Sequence, residues 1–159
     1  MTATIEPRDV TYRNLDQLLR LNVREDQAHL VAPNAVTIAE ANYMPKGWMR
    51  GLWVGDDPVG LIAMIDMDAD HPEVGDHLPG NIAYLWRLMI GASFQGKGYG
   101  RYALELAFDR ARRWKRRSLY LSVAEGKGNA LPFYRRFGFE PTGAVHGNEL
   151  VLKSLISSA

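Results

Sequence analysis

A glycine-rich turn between an apolar strand and an amphipathic helix is the feature that most limits how this chain can fold. The apolar run Ile82–Ile90 predicts a buried central strand. Across residues 98–117, apolar side chains recur every three or four positions, which predicts a helix with one buried face. Between them lies the segment Gln95-Gly96-Lys97-Gly98-Tyr99-Gly100. This succession indicates an α/β arrangement in which the helix packs against a sheet.

The remaining pattern predicts a mixed sheet flanked by helices. Short β-prone or alternating runs predict strands at residues 10–12, 48–54, 59–67, 119–123 and 149–155. Helical periodicity predicts helices that start near Leu15 and at residues 35–43 and 130–137. The early strands are joined as a hairpin and the later ones alternate with helices, so we expect a mixed α+β sheet. At 159 residues, the chain has the length of one domain, residues 1–159.

Composition and charge exclude several classes of function. The chain has no cysteine, which excludes a disulfide scaffold, a thiol nucleophile and Cys-ligated metal. With 19 basic and 18 acidic residues, it offers no general attraction for nucleic acid or an anionic membrane. The basic run at residues 110–117 lies at a predicted helix C-terminus, where cations are favoured. His71 and His77 match no standard ligand spacing, so we expect no metal. The polar N-terminus and the lack of a long apolar run predict a cytoplasmic protein.

The glycine-rich turn has the chemistry of a phosphate-binding site. Glycine lets the backbone turn tightly and approach a ligand closely. The first turn of the following helix presents unpaired N–H groups with partial positive charge. The spacing G-x-G-x-G differs from that of dinucleotide-binding folds, and Lys97 is followed by Gly98 rather than by the Ser or Thr of a Walker sequence. A dinucleotide site and a Walker-type nucleotide site are therefore both disfavoured. A glycine-rich turn that binds no ligand is the alternative to a phosphate-binding turn.

Two separated motifs resemble the GNAT superfamily of N-acetyltransferases. The pattern Gln-x-x-Gly-x-Gly at residues 95–100 is similar to the family's acyl-coenzyme-A loop, and residues 88–90 resemble the strand segment before it. Residues 130–139, ALPFYRRFGF, resemble the family signature A-x-x-F/L-Y-x-x-x-G-F. The resemblance implies a GNAT-like α/β fold, with a central mixed, mostly antiparallel sheet of six to seven strands and about four helices. It also implies an acetyl-CoA-dependent enzyme whose adjacent parallel strands splay around the pantetheine arm.

The resemblance implies roles for individual residues. Tyr134 is the implied proton donor to the leaving thiolate, a role that a hydrogen bond from its hydroxyl can fill. The family often has an asparagine seven residues before this tyrosine; Lys127 stands there instead, and Asn129 is the nearest asparagine. The sequence does not identify the base that takes the amine proton; the candidates are Asp66, Glu125 and water held by them. The implied cofactor-binding residues are Leu88, Met89, Ile90, Gln95, Gly96, Lys97, Gly98, Tyr99, Gly100, Arg101 and Asn129.

The N-terminal third suggests the acceptor. The segments at residues 23–27 and 31–34 are similar to the first-helix region of bacterial polyamine N-acetyltransferases, which implies a small polyamine or related amine as acceptor. A polycation favours carboxylates and aromatic faces, and the candidates are Glu25, Asp26, Asp66 and Trp86. Protein N-terminal or lysine acetylation stays open, as does a non-catalytic acyl-CoA-binding domain. The sequence also leaves a homodimer open.

Overall fold

The structure is a computed structural model that describes residues 4–126 and 128–157; Lys127 lies outside the described residues. The described part forms a seven-stranded sheet in the order β1-β2-β3-β4-β5-β7-β6. The strands are β1 (Glu6–Arg8), β2 (Gly47–Val54), β3 (Asp57–Met67), β4 (Ile82–Ile90), β5 (Ser118–Ala124), β6 (Glu140–His146) and β7 (Glu149–Leu155). The α-helices are α1 (Leu15–Leu19), α2 (Asn34–Ala41), α3 (Tyr99–Arg113) and α4 (Leu131–Arg135). Neighbouring strands pair antiparallel except β4 and β5, which are parallel, so the expected mixed, mostly antiparallel sheet is confirmed.

The two faces of the sheet bury different sets of residues. Successive strand residues point to opposite faces, and α3 packs through Ala103, Leu104 and Ala107 against the face that carries Leu85 and Leu121. The opposite face carries Tyr84, Tyr120 and Val151, which pack with Val74 and Leu78 of the segment between β3 and β4. This second face is therefore covered by a loop rather than by the long helix.

His71 anchors that covering loop. Its Nε2 lies 2.7 Å from the carbonyl oxygen of Pro45, and its Nδ1 accepts a hydrogen bond from the N–H of Glu73 at 3.1 Å. Both ring nitrogens are therefore engaged by backbone groups, which accounts for this buried histidine structurally. No helix in residues 4–126 or 128–157 is long and apolar enough to cross a membrane.

The first and sixth strands differ from the sequence prediction. The prediction of a strand at residues 10–12 is wrong: β1 pairs Pro7 with Leu52, while the carbonyl of Thr11 accepts hydrogen bonds from the N–H groups that begin α1. β6 was not predicted, because nearly all of its residues are exposed and no alternating apolar pattern marks it. An edge strand of this kind is held by its ladder with β7 rather than by burial.

The long helix ends four residues earlier than its periodicity predicts. Lys115 has a left-handed backbone with φ of 60°, and its N–H donates to the carbonyl of Arg112 at 2.9 Å. The N–H of Arg116 donates to the carbonyl of Ala111 at 3.0 Å. These two bonds form a Schellman motif, which closes the helix and redirects the chain into β5.

Candidate functional site

The parallel strands β4 and β5 separate partway along their length. Their register holds at three pairs, Ala83 with Leu119, Tyr84 with Tyr120, and Leu85 with Leu121. Beyond these pairs, β4 has one extra residue relative to β3, because Ala63 pairs with Arg87 while Met64 pairs with Leu85. Such a bulge, here at Trp86, bends its strand and increases the local twist. A gap therefore opens between the carboxyl halves of the two strands.

A cavity of about 1160 Å³ occupies this gap. Ligand cavities of this size accept extended small molecules. Its walls combine the separated strand ends, the glycine-rich turn, α4 and the segment between α1 and α2. Of the residues predicted to bind ligands, the lining includes Trp86, Leu88, Met89, Ile90, Gln95, Gly96, Gly98, Tyr99, Gly100, Arg101 and Tyr134.

The glycine-rich turn presents the N-terminus of α3 to the cavity. Gly96 and Gly98 have left-handed backbones, with φ of 76° and 85°, and a Cβ at either position would meet no atom of residues 4–126 and 128–157 within 4 Å. Gly98 is the N-cap of α3, and none of the side chains that the structure describes caps the helix there. Gly100 is needed for packing instead, because a Cβ there would lie 3.1 Å from Cζ of Phe133. The turn therefore offers uncapped N–H groups with space in front of them, which suits an anionic ligand.

Gln95 holds the turn in place through its side chain. Its Nε2 donates to the carbonyl of Ile90 and to Oε1 of Gln27, both at 2.9 Å. Its Oε1 accepts a hydrogen bond from Arg24 at 2.8 Å. The amide is thus engaged by protein groups at both ends, so Gln95 positions the loop against the end of β4 and the 3-10 turn Glu25–Gln27.

Tyr134 lies in the cavity wall within an aromatic cluster. Its ring packs edge-on against Phe133 and Phe139, with centroid separations of 5.2 and 5.7 Å. Burial raises the pKa of Tyr134 to about 12, because water no longer stabilises the phenolate. The hydroxyl therefore keeps its proton at neutral pH and is available as a hydrogen-bond donor.

Two residues predicted to bind the cofactor do not line the cavity. Asn129 caps the start of α4: its Oδ1 accepts a hydrogen bond from the N–H of Leu131, and its Nδ2 donates to the carbonyl of Gly126, each at 2.9 Å. Lys97 is exposed, and its Nζ lies 5.9 Å from the ring centroid of Phe94. Both residues border the cavity in sequence, but their side chains serve local structure or face solvent.

The predicted acceptor residues are dispersed. Trp86 lines the cavity, and its ring stacks with the guanidinium of Arg87 at 4.6 Å. Glu25 and Asp26 are exposed on the 3-10 turn beside Gln27 and are outside the lining. Asp66 is also outside it: its carboxylate accepts a hydrogen bond from Arg116 at 2.7 Å. Asp66 pairs with Ala83 at the beginning of β4, the end opposite the gap.

Sequence reasoning missed the acidic residue that does reach the cavity. Among the lining residues, Glu149 is the one carboxylate that the described chain supplies. Sequence reasoning also assigned no role to Tyr84 and Ser122. Their hydroxyl oxygens lie 3.0 Å apart, within hydrogen-bond distance, where β4 and β5 separate. Burial, as the largest cause, raises the pKa of Tyr84. The only sequence signal for Glu149 is that it lies two residues before Val151 on a predicted strand, so that both side chains point to the same face. This signal does not show which strands lie beside it.

Metal ligation has no support in the described ranges, since no three His, Asp or Glu side chains in residues 4–126 and 128–157 cluster as metal ligands would.

The comparison with known sequences points to transferase relatives. Residues 15–139 match the profile of a family described as "Acetyltransferase (GNAT) family". The chain is 29% identical over 155 residues to a spermine/spermidine N(1)-acetyltransferase of Bacillus subtilis strain 168, covering 96% of this chain and 99% of that protein. A probable spermine N(1)-acetyltransferase of Bacillus subtilis subsp. natto strain BEST195 has the same identity and coverage.

Solved structures share the fold at low sequence identity. An acetyltransferase from Thermus thermophilus aligns with a TM-score of 0.74 at 21% identity, over 97% of this chain and 98% of that one. The PaiA N-acetyltransferase from Thermoplasma acidophilum, solved in complex with coenzyme A, aligns with a TM-score of 0.68 at 15% identity, over 96% and 99%. These similarities agree with the fold described above.

Proposed function

Because this chain belongs to the GNAT family of acetyltransferases, and is therefore an acyltransferase, we propose that it transfers an acetyl group from acetyl-CoA to a primary amine of a polyamine. The observation that carries the proposal is the cavity that joins an uncapped helix N-terminus to Tyr134 through the gap between β4 and β5. The two spermine-acetylating relatives support the choice of acceptor.

The residues around the cavity fit acetyl-CoA. The turn at residues 96–100 offers N–H groups to a pyrophosphate, and Arg101 and Arg136 add positive charge to the same wall. Leu88, Met89 and Ile90 offer an apolar strand edge along the gap, beside which a pantetheine arm can lie. Acetyl-CoA supplies the thioester; Gln95 and Asn129 take the roles of positioning residues for the loop and for α4.

Tyr134 acts at the leaving group. The amine nitrogen attacks the thioester carbonyl, the new C–N bond forms, the C–S bond breaks, and the sulfur leaves as thiolate. The Tyr134 hydroxyl donates a hydrogen bond to that sulfur, while the amine proton leaves through water or a carboxylate. Deprotonating an alkylammonium with a pKa of about 10.4 at pH 7 costs about 4.6 kcal/mol, and this must happen before the amine can attack. The acceptor side therefore needs a path for that proton.

A comparison of several amine acceptors tests this proposal. Purified protein is incubated with acetyl-CoA and with spermidine, spermine, a peptide with a free N-terminus or a lysine peptide, and free thiol is measured. We expect thiol release that depends on both substrates, with kcat/KM for spermidine at least about tenfold above that for either peptide. Turnover with peptides alone would assign protein acetylation instead. Calorimetric binding of acetyl-CoA without turnover of any amine would indicate a binding domain.

A further inference from the structure

The side chains that line the cavity carry charges of both signs. Arg101 of α3 and Arg136, which follows α4, line it on the side of the glycine-rich turn. Glu149 is the carboxylate among the lining residues that the structure describes. A cavity with this polarity suits an anionic group at the helix N-terminus and a cationic group near Glu149.

The strand register places Glu149 on the face opposite α3. β7 pairs Glu149 with Ala124, Val151 with Ser122, and Lys153 with Tyr120. Residues that pair across strands point to the same face, and Val151 and Tyr120 belong to the second core, away from α3. Tyr134, in contrast, packs against the first core. Glu149 and Tyr134 therefore approach the same cavity from opposite faces of the sheet, on either side of the gap.

In the described part of the chain, no basic side chain forms an ion pair with the carboxylate of Glu149. Within residues 4–126 and 128–157, the ion pairs engage other acidic residues, and Glu149 takes part in none of them. Arg87, a lining cation on β4, is itself paired with Glu40 at 3.1 Å and donates to Thr37 at 3.2 Å. Glu149 is also half-buried, so its charge acts in a medium that screens it less than bulk water does.

We propose that Glu149 binds an ammonium group of the acceptor that does not react, and so makes the enzyme prefer amines that carry a second positive charge. This inference rests on the proposed function and names the group that recognises the acceptor. While one amine reaches the gap beside Tyr134, the remote ammonium lies against Glu149 on the far face. The interaction is made in the ground state as well as in the transition state, so its loss raises KM rather than lowering kcat.

The test compares Glu149→Gln with the parent on putrescine and n-butylamine, which differ by one ammonium group, and on spermidine. We expect KM for putrescine and spermidine to rise at least about tenfold. The kcat for both, the KM for n-butylamine and the KM for acetyl-CoA should stay within about threefold of the parent. Glu149→Asp, which keeps the charge, should recover part of the lost preference. Glu140→Gln removes an exposed carboxylate from the same hairpin, outside the cavity, and should change nothing.

Two results would overturn the inference. An unchanged KM for the polyamines would remove Glu149 from the acceptor site. An equal fall in kcat for putrescine and n-butylamine would make it a base or a structural residue. Should the parent acetylate no amine at all, the proposed function fails, and calorimetry with spermidine still decides the role of Glu149. Binding that weakens about tenfold in Glu149→Gln supports the inference, whereas a parent that does not bind spermidine contradicts it.

Discussion

At the scale of single residues, Tyr134 shows how burial determines the protonation state in which a side chain is present at neutral pH. Its pKa is raised to about 12 by burial, whereas an ordinary thiol has a pKa of about 8.5. Full proton transfer from the phenol to a thiolate is therefore uphill by about 5 kcal/mol. In the proposed mechanism a hydrogen bond to the developing thiolate needs no transfer, so the hydroxyl would lower the barrier while keeping its proton.

Removal of that hydroxyl tests its role. We expect Tyr134→Phe to lower kcat by about 10² to 10⁴, while the calorimetric affinity for acetyl-CoA stays near the parent value because the ring still fills the wall. Tyr102→Phe, in α3 and outside the cavity lining, is the matched control and should keep parental kcat. If Tyr134→Phe turns over within about threefold of the parent, Tyr134 serves packing alone.

The raised pKa also makes a prediction about stability in alkali. In the unfolded chain a tyrosine ionises near pH 10, whereas folded Tyr134 keeps its proton up to about pH 12. The unfolded state therefore binds fewer protons between those values, and the free energy of unfolding falls as pH rises through that window. Tyr134 contributes on the order of 3 kcal/mol to this fall.

Urea unfolding at a series of alkaline pH values measures this fall. The slope for Tyr134→Phe should be shallower than that of the parent, because the substituted side chain cannot ionise in either state. Tyr12→Phe removes a phenol that is 96% exposed, and its slope should match the parent's. Equal slopes for Tyr134→Phe and the parent would mean that the phenol is not buried.

Gly98 combines a left-handed backbone with open space around a built Cβ, and it lines the cavity. We expect Gly98→Val to weaken acetyl-CoA binding at least about tenfold, or about 1.4 kcal/mol, because the side chain occupies the space in front of the α3 N–H groups. Gly55, in the turn between β2 and β3, also has a positive φ and no atom within 4 Å of a built Cβ. Gly55→Val should therefore cost similar stability and leave the affinity unchanged. Equal affinities in folded Gly98→Val and the parent would exclude the phosphate site.

At the scale of elements, the end of α3 sets the start of β5. The Schellman motif needs a left-handed residue, and Lys115 adopts that backbone with φ of 60° although its Cβ disfavours it. Glycine takes this conformation without that strain. The position of this helix end therefore follows from the hydrogen bonds that close it rather than from residue preference.

Replacing this lysine should stabilise the protein. We expect Lys115→Gly to raise the free energy of unfolding by about 1 kcal/mol, measured by urea unfolding. Lys115→Ala separates backbone strain from charge and should give no comparable gain, because alanine keeps the Cβ. Arg113→Gly, within the last turn of the helix, should lower stability by about 1 kcal/mol. A loss of stability in Lys115→Gly would mean that the helix does not end in this motif.

At the scale of the whole molecule, the ion pair between Asp66 and Arg116 ties the end of β3 to the chain that leaves α3. The side chains are 21% and 18% exposed, respectively, so the pair is screened less than a surface pair. It joins positions 50 residues apart in sequence, at the end of the sheet opposite the gap. From this location we expect Asp66 to contribute to stability rather than to acceptor binding.

Kinetics and unfolding together separate these roles. We expect Asp66→Asn to lower the free energy of unfolding by about 1 to 3 kcal/mol, with KM for spermidine and for acetyl-CoA unchanged. Asp16→Asn breaks the exposed ion pair between Asp16 and Arg20, in which the two side chains are 71% and 75% exposed, respectively. This substitution should lower the free energy of unfolding by less than about 0.5 kcal/mol. A raised KM for spermidine at unchanged stability would return Asp66 to the acceptor site.

The sequence by itself determined the parts of this protein that depend on near neighbours. A continuous apolar run predicted β4, a short β-prone run predicted β7, and the period of the apolar residues predicted α3. The spacing of the glycines predicted the turn that presents the N-terminus of α3. Tyr134 was identified through a short motif that the chain carries intact. The strands, the helix and the turn arise from backbone freedom and side-chain periodicity, which act over a few residues and so can be seen without a structure; the role of Tyr134 was implied by the resemblance to the family signature.

Only the tertiary structure decided which charges meet the cavity. Glu149 reaches it because β7 lies between β5 and β6 and pairs Glu149 with Ala124, while Asp66 was drawn to Arg116 at the other end of the sheet. The gap itself depends on a bulge that appears only when the register of β3 against β4 is known. Strand order and register are set by contacts between distant segments, and a shift of one residue would exchange the two faces. No local pattern records that choice, so the charges that face the cavity could not be predicted from residues in sequence.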